Sequence, residues 1–559
     1  MPKLRALALR TAFCAICLLV ACQSHQQKTA ANPGSSGQAS IDSYIHASWD
    51  TLTRSMTDCA SLTDTKIDPK LKTSPVLYLP QDFPEPNEVK ALTSQCAVDV
   101  ERLPVRIRHI GDPIRLPAEG LLYLPNKYVV PGGRFNEMYG WDSYFILLGL
   151  IQDHRIDLAR GIVENFFFEI EHYGGILNAN RTYYLTRSQP PFLTSMIRSI
   201  YDAEAISGQN DTAWLAHAYA YAVQDHALWM TAAHRAGSTG LARYYDFGEG
   251  PVPEMSDADT YYPDVIQWLL SHPGAGTTYL IDGPANPGPA DRARIALVSC
   301  DPTTSQVCAH AHVGTHWLSK DFFKGDRAMR ESGFDTTFRF GFFSGSTHHY
   351  APVCLNSLLY KYEQDLAWIA GQLHRPSEMK QWQALADARR RAIDKYLWNP
   401  GKGMYFDYDY TAPRQQQSDY EYLTTFYPLW AAAATPEQAK LVEAHLADFE
   451  RAGGLAMSTR ESGVQWDMPY GWAPVIWLVT DGLAGYGDIR DAQRISGKFT
   501  DVVRTNFARD RAIREKYNVV NGSSEFHPTA AGYSENVVGF GWTNGVYLKM
   551  KALLMRQEP

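Results

Sequence analysis

The chain has 559 residues, of which 45% are hydrophobic and 12% aromatic, which is enough for a large hydrophobic core. Its 60 acidic and 52 basic residues give a net charge of −8 at pH 7. Because no long basic run follows the extreme N-terminus, the charge pattern argues against a nucleic acid as partner.

Residues 1–22 have the pattern of a secretory signal peptide. Three basic residues within the first ten precede an apolar segment that ends at Ala21 and is short for a membrane span. The sequence LVAC at residues 19–22 resembles a lipobox, where a signal peptidase cuts before a cysteine that then carries lipid; an ordinary signal peptide is the alternative. We expect a periplasmic lipoprotein that contacts the outer membrane only through Cys22, and Gln23 is compatible with that membrane.

The cysteines beyond the signal predict disulfide bonds. In an oxidising compartment, disulfides can form among Cys59, Cys96, Cys300, Cys308 and Cys354. Local spacing favours Cys59–Cys96 and Cys300–Cys308 and leaves Cys354 over, although five cysteines permit other pairings.

The remaining chain is predicted to be a tether followed by one domain. Residues 23–40 are rich in Gln, Ala, Gly and Ser and lack an apolar period, which is typical of a flexible tether. Residues 41–559 form the predicted domain, and its first part, to residue 112, is expected to consist of helices and loops interrupted by prolines.

Apolar residues that recur every three to four positions predict helices in the rest of the domain. The clearest stripes are Leu358, Tyr362, Leu366, Ile369 and Leu373; Trp382, Leu385, Ile393 and Leu397 after a cap at Ser377; Leu441, Val442, Leu446 and Phe449; and Ile489, Ala492, Ile495, Phe499, Val502, Val503 and Phe507. Thr435 and Gln438 have the spacing of a capping box with Pro436 at the first helical position. Helical hairpins that alternate with polar and aromatic loops suggest an all-α fold, a closed double ring with its site at one rim.

One stretch breaks this helical pattern. Residues 273–314 are rich in Gly and Pro and are predicted to be an insertion. Cys308, His310, His312 and His316 have a spacing that could bind zinc, but we expect surface histidines near a disulfide and no metal site.

Two long motifs carry a resemblance to a known family. Residues 131–145 (PGGRFNEMYGWDSYF) combine a glycine turn, a cation, two carboxylates and several aromatic rings, a mixture suited to hydrogen-bonding and stacking a sugar. With residues 465–474 (QWDMPYGWAP), they resemble the two signatures of the trehalase family of glycoside hydrolases. The resemblance covers about residues 121–550 and implies an (α/α)6 barrel, no cofactor and no metal.

The resemblance also implies the catalytic pair. Hydrolysis of a glycosidic bond with inversion requires one carboxylic acid to protonate the leaving oxygen and one carboxylate to activate water. Residues 331–335 (ESGFD) resemble the segment that carries the family's general acid, which assigns Asp335. Residues 514–517 (REKY) resemble the segment of the general base, which assigns Glu515, although a Glu next to a Lys on a surface turn is commonplace.

The substrate-binding positions follow from the same matches, one at a time. They are Arg134, Trp141 and Asp142 in the first signature, Asn178, Arg187, Ser188 and Gln189 in residues 178–191 (NANRTYYLTRSQPP), Glu254, Gly333, and Glu525 in residues 524–526. Glu535 is a rival of Glu525, because the spacing from Glu525 to the closing residues 539–545 (GFGWTNG) is long.

Two further departures concern specificity. Val252 stands where the family's motif has an arginine, and Arg243 or a residue of the insertion is a candidate replacement. Cys354 stands where an aspartate is expected. Loss of a hydrogen bond between an arginine and a sugar hydroxyl would weaken binding by about 1.5–3 kcal/mol.

The sequence therefore predicts a monomeric inverting hydrolase that converts α,α-trehalose and water into two glucose molecules. One alternative is an inverting hydrolase of another α-glucoside, and the departures at Val252 and Cys354 are its motive. A second alternative is a sugar-binding lipoprotein without catalysis. Comparison of trehalose with maltose and kojibiose as substrates separates the first alternative from the main prediction, and unhydrolysed trehalose in a crystal of the wild-type protein would favour the second.

Overall fold

The computed structural model describes residues 40–62, 74–208, 211–254, 260–274, 277–295, 297, 305–411, 413–527 and 536–556. The predicted signal peptide with its lipobox, and the tether up to residue 39, lie outside the described residues, as do Cys300 and Glu535. Among the helices of the described residues, none is both long enough and apolar enough to cross a membrane. The chain from Ser40 to Pro559 forms one compact unit.

Helices dominate this unit. In chain order they are α1 (Ile41–Leu52), α2 (Cys59–Leu62), α3 (Asn87–Gln95), α4 (Asp142–Gln152), α5 (Ile156–Tyr173), α6 (Leu193–Ile206), α7 (Thr212–Trp229), α8 (Tyr261–Ser271), α9 (Pro289–Arg294), α10 (Ser305–His310), α11 (Lys320–Glu331), α12 (Val353–Gln372), α13 (Pro376–Tyr396), α14 (Tyr427–Trp430), α15 (Pro436–Ala444), α16 (Leu446–Phe449), α17 (Ala473–Gly485), α18 (Ile489–Asp510) and α19 (Gly541–Leu554).

The strands between them are short. They are β1 (Thr53–Arg54), β2 (Val76–Leu79), β3 (Asp99–Arg102), β4 (Leu121–Leu122), β5 (Tyr128–Val129), β6 (Leu280–Asp282), β7 (His312–Val313), β8 (His316–Leu318), β9 (Tyr350–Ala351), β10 (Trp398–Asn399), β11 (Met404–Tyr405), β12 (Tyr408–Asp409), β13 (Gln416–Gln417), β14 (Glu450–Arg451), β15 (Gly454–Leu455), β16 (Tyr470–Trp472) and β17 (Lys516–Asn518).

Six of the helices close into a ring within the described part of the chain. Along this ring α4 packs against α6, and the order continues through α12, α14, α17 and α19, which packs back against α4. Helices α5, α7, α13 and α18 pack against members of the ring. Nearly every residue of α4 and α17 is buried, as expected for enclosed helices, whereas α13 buries only Ala386, Arg389 and Ile393. The packing is thus a double ring of helices.

The predicted helices form, with corrections at single residues. The capping box at Thr435 is confirmed, and the predicted stripe along α18 is buried from Ala492 to Phe507. The cap at Ser377 is wrong, because α13 begins at Pro376, whose missing N–H suits the first helical position. Leu385 and Leu441 are each 48% exposed, so neither belongs to its buried stripe.

The N-terminal section contains a β-α-β unit, whereas the sequence predicted helices and loops. Strands β3, β2 and β4 form a parallel sheet in that order, and α3 connects β2 to β3. The run Val-Leu-Tyr-Leu of β2 is continuously apolar, as is typical of a buried parallel strand, and has no alternation to reveal it. The predicted disulfide Cys59–Cys96 is present and joins α2 to the C-terminal end of α3.

The predicted insertion is partly described. It contributes α9, α10, β6 and β7, and both strands pair with β8, which follows the insertion. Its residues Ile295, Leu297 and Cys308 form a small hydrophobic cluster with Trp317. Cys308 is disulfide-bonded. His312 stacks on Trp317 and His316 pairs with Asp282 at 3.0 Å, so these groups do not converge on one point.

Candidate active site

The loops that precede the ring helices line one open cavity of about 160 Å³. Its lining comes from residues before and at the start of α4, from the loop between α5 and α6, from the end of α11 and the residues after it, and from the approaches to α17 and α19. The lining residues are Pro131, Arg134, Phe135, Tyr139, Trp141, Asp142, Asn178, Tyr183, Tyr184, Arg187, Gln189, Glu254, Arg330, Gly333, Asp335, Trp466, Glu515, Val537, Phe540 and Trp542.

Trp141 is the aromatic centre of this site. Its backbone N–H donates to Gln189 Oε1 at 2.9 Å, which joins the start of α4 to the loop before α6. Its ring lies 5.9 Å from that of Trp466 and 5.8 Å from that of Trp542. A Cβ on Gly333 would lie 2.8 Å from the Trp141 ring, and the φ of Gly333 is +76°. A glycine is therefore required at 333 by both close approach and backbone conformation.

Arg187 is held by acceptors on three sides. Its Nε donates to Asn178 Oδ1 at 2.8 Å, it forms an ion pair with Glu254, and its Nη1 lies 3.5 Å from Asp246 Oδ2. Burial alone would lower the pKa of Arg187, but the carboxylates of Glu254 and Asp246 raise it. The guanidinium is thus charged and oriented at the cavity wall.

Asp335 lies just beyond the C-terminal end of α11, and its environment favours a proton. Its side chain is 34% exposed, and its backbone carbonyl accepts from Gln465 Nε2 at 2.5 Å. Burial raises the pKa of Asp335 to about 6, against the opposing charges of Arg330 and Arg187. The Arg330 Nη1 lies 3.8 Å from Asp335 Oδ2, longer than a hydrogen bond.

Glu515 reaches the same cavity from the segment between α18 and β17. Its N–H donates to Val537 O at 3.0 Å, and its carbonyl accepts from Trp542 Nε1 at 3.1 Å. Strand β17 pairs antiparallel with β16, with Lys516 opposite Trp472. The Lys516 Nζ donates to Glu515 Oε2 at 2.7 Å, and both side chains are almost fully buried. The surface turn that the Glu-Lys sequence could indicate is therefore wrong.

Asp142 is a third carboxyl in the cavity. It is the first residue of α4 and is 4% exposed. Burial, together with the charges of Glu515 and Asp335, holds the pKa of Asp142 well above its ordinary value. In its neutral form this carboxyl group can both donate and accept hydrogen bonds.

Two of the predicted site residues do not line the cavity. Ser188 is buried beside it and donates from Oγ to Ile176 O at 2.6 Å, so it holds the loop that carries Arg187 and Gln189. Glu525 is exposed, and its N–H donates to Ser523 Oγ at 3.0 Å. Its part in sugar binding stays a prediction.

The two departures from the expected motifs lie away from the cavity. Val252 is fully buried, and its N–H donates to Tyr262 Oη. Arg243 donates to His348 O and to Tyr410 Oη and is not among the lining residues, so it does not replace the missing arginine there. Cys354 is buried beside Arg339, whose carboxylate partner is Asp407 at 2.6 Å.

Sequence reasoning missed Arg330 and the partner role of Lys516. Arg330 stands one residue before the motif at 331–335, on the last turn of α11, and it is buried with an ion pair to Asp326 at 3.2 Å. Tyr139, Tyr183 and Tyr184 were also missed as lining residues. Their positions in the sequence could have indicated them, because each of these residues lies inside or directly beside one of the family motifs.

The double ring of helices and a cavity lined by carboxyls, arginines and aromatic rings define a glycoside hydrolase of the (α/α)6-barrel class. The trehalase family model matches residues 36–267 and 310–554. The chain is 35% identical to a probable trehalase of Eremothecium gossypii, over 90% of this chain and 71% of that protein. It is 34% identical to a cytosolic neutral trehalase of Saccharomyces cerevisiae, over 89% and 69% respectively.

A solved structure agrees with these sequence matches. The neutral trehalase of Saccharomyces cerevisiae superposes with a TM-score of 0.73 at 33% identity, covering 92% of this chain and 93% of that one. The chain belongs to the trehalase family and is a glycoside hydrolase of the α,α-trehalase type. The predicted (α/α)6 barrel is thereby confirmed.

The comparisons correct the predicted location. Relatives across most of this chain are named cytosolic neutral trehalases, which contradicts a periplasmic lipoprotein anchored to the outer membrane through Cys22. The prediction depended on residues 1–22, which lie outside the described structure.

Proposed function

We propose that this enzyme hydrolyses α,α-trehalose to two glucose molecules with inversion, with Asp335 as general acid and Glu515 as general base. The observation that carries the proposal is that these two carboxyls, 180 residues apart in sequence, line one cavity, where burial raises the pKa of Asp335 and Lys516 Nζ donates to Glu515 Oε2 at 2.7 Å. A carboxyl whose environment favours the proton is the pattern expected of a general acid, and a second carboxyl in the same cavity can act as the base.

The surroundings of Asp335 support the acid role. With a pKa of about 6, a part of the Asp335 carboxyl groups is protonated near neutral pH. A sugar in the cavity would displace water and favour the neutral acid further. The proton would pass to the glycosidic oxygen as the bond between that oxygen and C1 breaks.

The surroundings of Glu515 support the base role. Lys516 Nζ donates a hydrogen bond to Glu515 Oε2 at 2.7 Å, which orients the Glu515 carboxyl group at the cavity. Glu515 would take a proton from water as the water oxygen bonds to C1 from the face opposite the leaving group. The attacked glucose is then released as the β anomer and the other as the α anomer.

The remaining lining residues fit the recognition of glucose hydroxyls. Arg134, Asn178, Arg187, Gln189 and Glu254 offer charged and amide groups at the wall, with Arg330 as a further cation. Trp141 offers an aromatic face and Asp142 a hydroxyl partner, while Gly333 and Ser188 keep the neighbouring backbone in place. Water is the only co-substrate.

Val252 favours a second candidate, hydrolysis of another α-linked glucoside. The family's motif has an arginine at this position, and the buried valine side chain offers a sugar no hydrogen bond. Comparison of kcat/KM for trehalose, maltose and kojibiose tests this candidate, and a preference for either of the last two would support it.

The first experiment is proton NMR of the purified enzyme with trehalose, recorded before mutarotation. Equal early signals of α- and β-glucose are expected from inversion. Only α-glucose would contradict inversion, and no glucose would contradict the trehalase activity itself. Asp335→Asn should abolish the signals, whereas Asp419→Asn, a matched change at a carboxylate that is 84% exposed, should not.

A further inference from the structure

A cluster of two histidines and one aspartate lies outside the cavity. Asp321 Oδ1 is 3.0 Å from His348 Nε2 and 3.2 Å from His349 Nε2. One ligand atom from each residue lies within 4.8 Å of the others, and among the described residues this is the group of His, Cys, Asp and Glu that is compact enough to hold a metal ion. None of the three lines the active-site cavity.

The backbone holds all three ligands in place. Asp321 lies in the first turn of α11, where Ser319 caps the helix by accepting from Phe322 N at 3.1 Å. His348 and His349 end the 3-10 helix Thr347–His349, which packs against α11. The His348 carbonyl accepts from both Arg243 and Tyr410, at 2.9 and 2.8 Å. The cluster is therefore preorganised by its own backbone.

The exposure of the cluster suits an exchangeable ligand. The side chain of Asp321 is 52% exposed and that of His349 is 29% exposed, whereas His348 is 9% exposed. Within the described part of the chain, His348 Nδ1 has no hydrogen-bond partner, so the polar contact of this ring is the one at Nε2. Water can therefore reach the side of the cluster formed by Asp321 and His349.

We propose that Asp321, His348 and His349 bind one divalent transition cation of the zinc type, with water completing its coordination. Two imidazole nitrogens and one carboxylate oxygen suit zinc, cobalt, nickel and copper, whereas magnesium and calcium prefer oxygen ligands alone. Tetrahedral zinc with ligand bonds of about 2.0–2.1 Å places its ligand atoms about 3.4 Å apart. The separations of 3.0 and 3.2 Å thus need only a small outward movement.

The position of the cluster gives a bound cation a structural role. The ligands lie at the two ends of the segment from α11 to residue 349, and this segment carries Arg330, Gly333 and Asp335. A cation would join the two ends of that segment and stabilise the folded state by mass action. The guanidinium of Arg243, which donates to the carbonyl of His348, places a competing positive charge nearby and predicts exchangeable binding.

The test is titration of the full-length, tag-free protein with ZnCl2 after removal of metals by a chelator, followed by calorimetry and by thermal unfolding with and without zinc. The wild type should bind one more equivalent of Zn²⁺ than Asp321→Asn and than His349→Ala, and zinc should raise its Tm by several degrees more than it raises theirs. His316→Ala, at a separate His-Asp pair, should behave as the wild type.

Equal zinc stoichiometry in the wild type and in both variants would overturn the proposal, as would an equal rise in Tm. The Asp321→Asn variant changes an exposed side chain by one atom, so it keeps the test decisive if His349→Ala fails to fold. MgCl2 at the same concentrations should give no difference between the proteins, and a difference as large as that with zinc would contradict the assigned ligand chemistry. The trehalose reaction is not needed for either measurement.

Discussion

The two loops that carry Asp335 and Glu515 into the cavity differ in the distance between the carboxyl group and the nearest cation. Asp335 follows a helix whose last turn offers a cation only at 3.8 Å, and burial raises its pKa to about 6. Glu515 has a buried lysine 2.7 Å away as its immediate neighbour in sequence. In the proposed mechanism the two carboxyl groups have opposite tasks, and their sites differ in the distance to the nearest cation.

The largest expected effect comes from removing either carboxyl. Asp335→Asn and Glu515→Gln should each lower kcat by roughly 10²–10⁴, because general acid or base catalysis contributes about that factor. KM for trehalose should change little, since the amides keep the shape of the wall. Steady-state kinetics of both variants, beside Asp419→Asn, provide the check. Near-normal turnover of either variant would remove that residue from its proposed role.

The second effect concerns the cation of the Glu515 loop. Lys516→Met should lower the free energy of unfolding by about 3–5 kcal/mol, because it removes the buried cation 2.7 Å from the Glu515 carboxyl group. It should also lower kcat, because the hydrogen bond that orients this carboxyl group is lost. Denaturant unfolding and steady-state kinetics measure the two changes.

A matched control for Lys516 is Lys498→Met. Lys498 is 35% exposed and pairs with Glu450 at 2.6 Å, so its loss should lower the free energy of unfolding by less than about 1 kcal/mol and leave kcat unchanged. Equal behaviour of the two lysine variants would mean that burial of the Lys516 pair has no special consequence, and the contrast between the two loops would fail.

The third prediction concerns the Asp335 loop in the wild-type enzyme. Because the acid must carry a proton and the pKa of Asp335 is about 6, kcat/KM should fall as pH rises through about 6. Arg330 lowers the pKa of Asp335, so Arg330→Gln should move this basic limb to higher pH. A basic limb that stays in place in Arg330→Gln would show that another group controls it.

The smallest effect is on stability. The pKa of Asp335 rises from 3.8 to about 6 on folding, so its protonation stabilises the folded protein below pH 3.8, and this stabilisation is lost as pH rises through about 6. Expressed as free energy of unfolding, the whole rise in pKa corresponds to about 3 kcal/mol. Water screens a carboxyl that is 34% exposed, which reduces this contribution to about 1 kcal/mol. As pH rises from 4 to 8, the free energy of unfolding of Asp335→Asn should therefore increase by about 1 kcal/mol relative to that of the wild type.

Chemical denaturation of the wild type and Asp335→Asn at both pH values measures this gain. Asp419→Asn serves again as the control and should show no comparable change, because its carboxylate is 84% exposed. If Asp335→Asn instead loses stability relative to the wild type between pH 4 and pH 8, the pKa of Asp335 is not raised in the folded protein. The contrast drawn between the Asp335 and Glu515 loops would then fail for Asp335.

Sequence patterns predicted structural features correctly where a feature depends on residues close together in the chain. The capping box at Thr435, the buried stripe of α18 and the disulfide Cys59–Cys96 depend on spacings within a short stretch of chain, and all three form. The signatures at 131–145 and 465–474 identified the family, which the comparisons confirm. Leu385 shows where periodicity fails, because a stripe does not reveal which of its members face a neighbouring helix.

By itself, the sequence determined the family, the helical barrel and half of the residues that line the cavity, because each motif keeps its chemistry within a few neighbouring positions. Only the tertiary structure decided that Arg330 lies at the cavity, that Val252 and Arg243 do not, and that Lys516 is buried against Glu515. It also placed Asp321 beside His348 and His349. Burial and distance between remote segments depend on how the ring closes, and no local pattern encodes that closure.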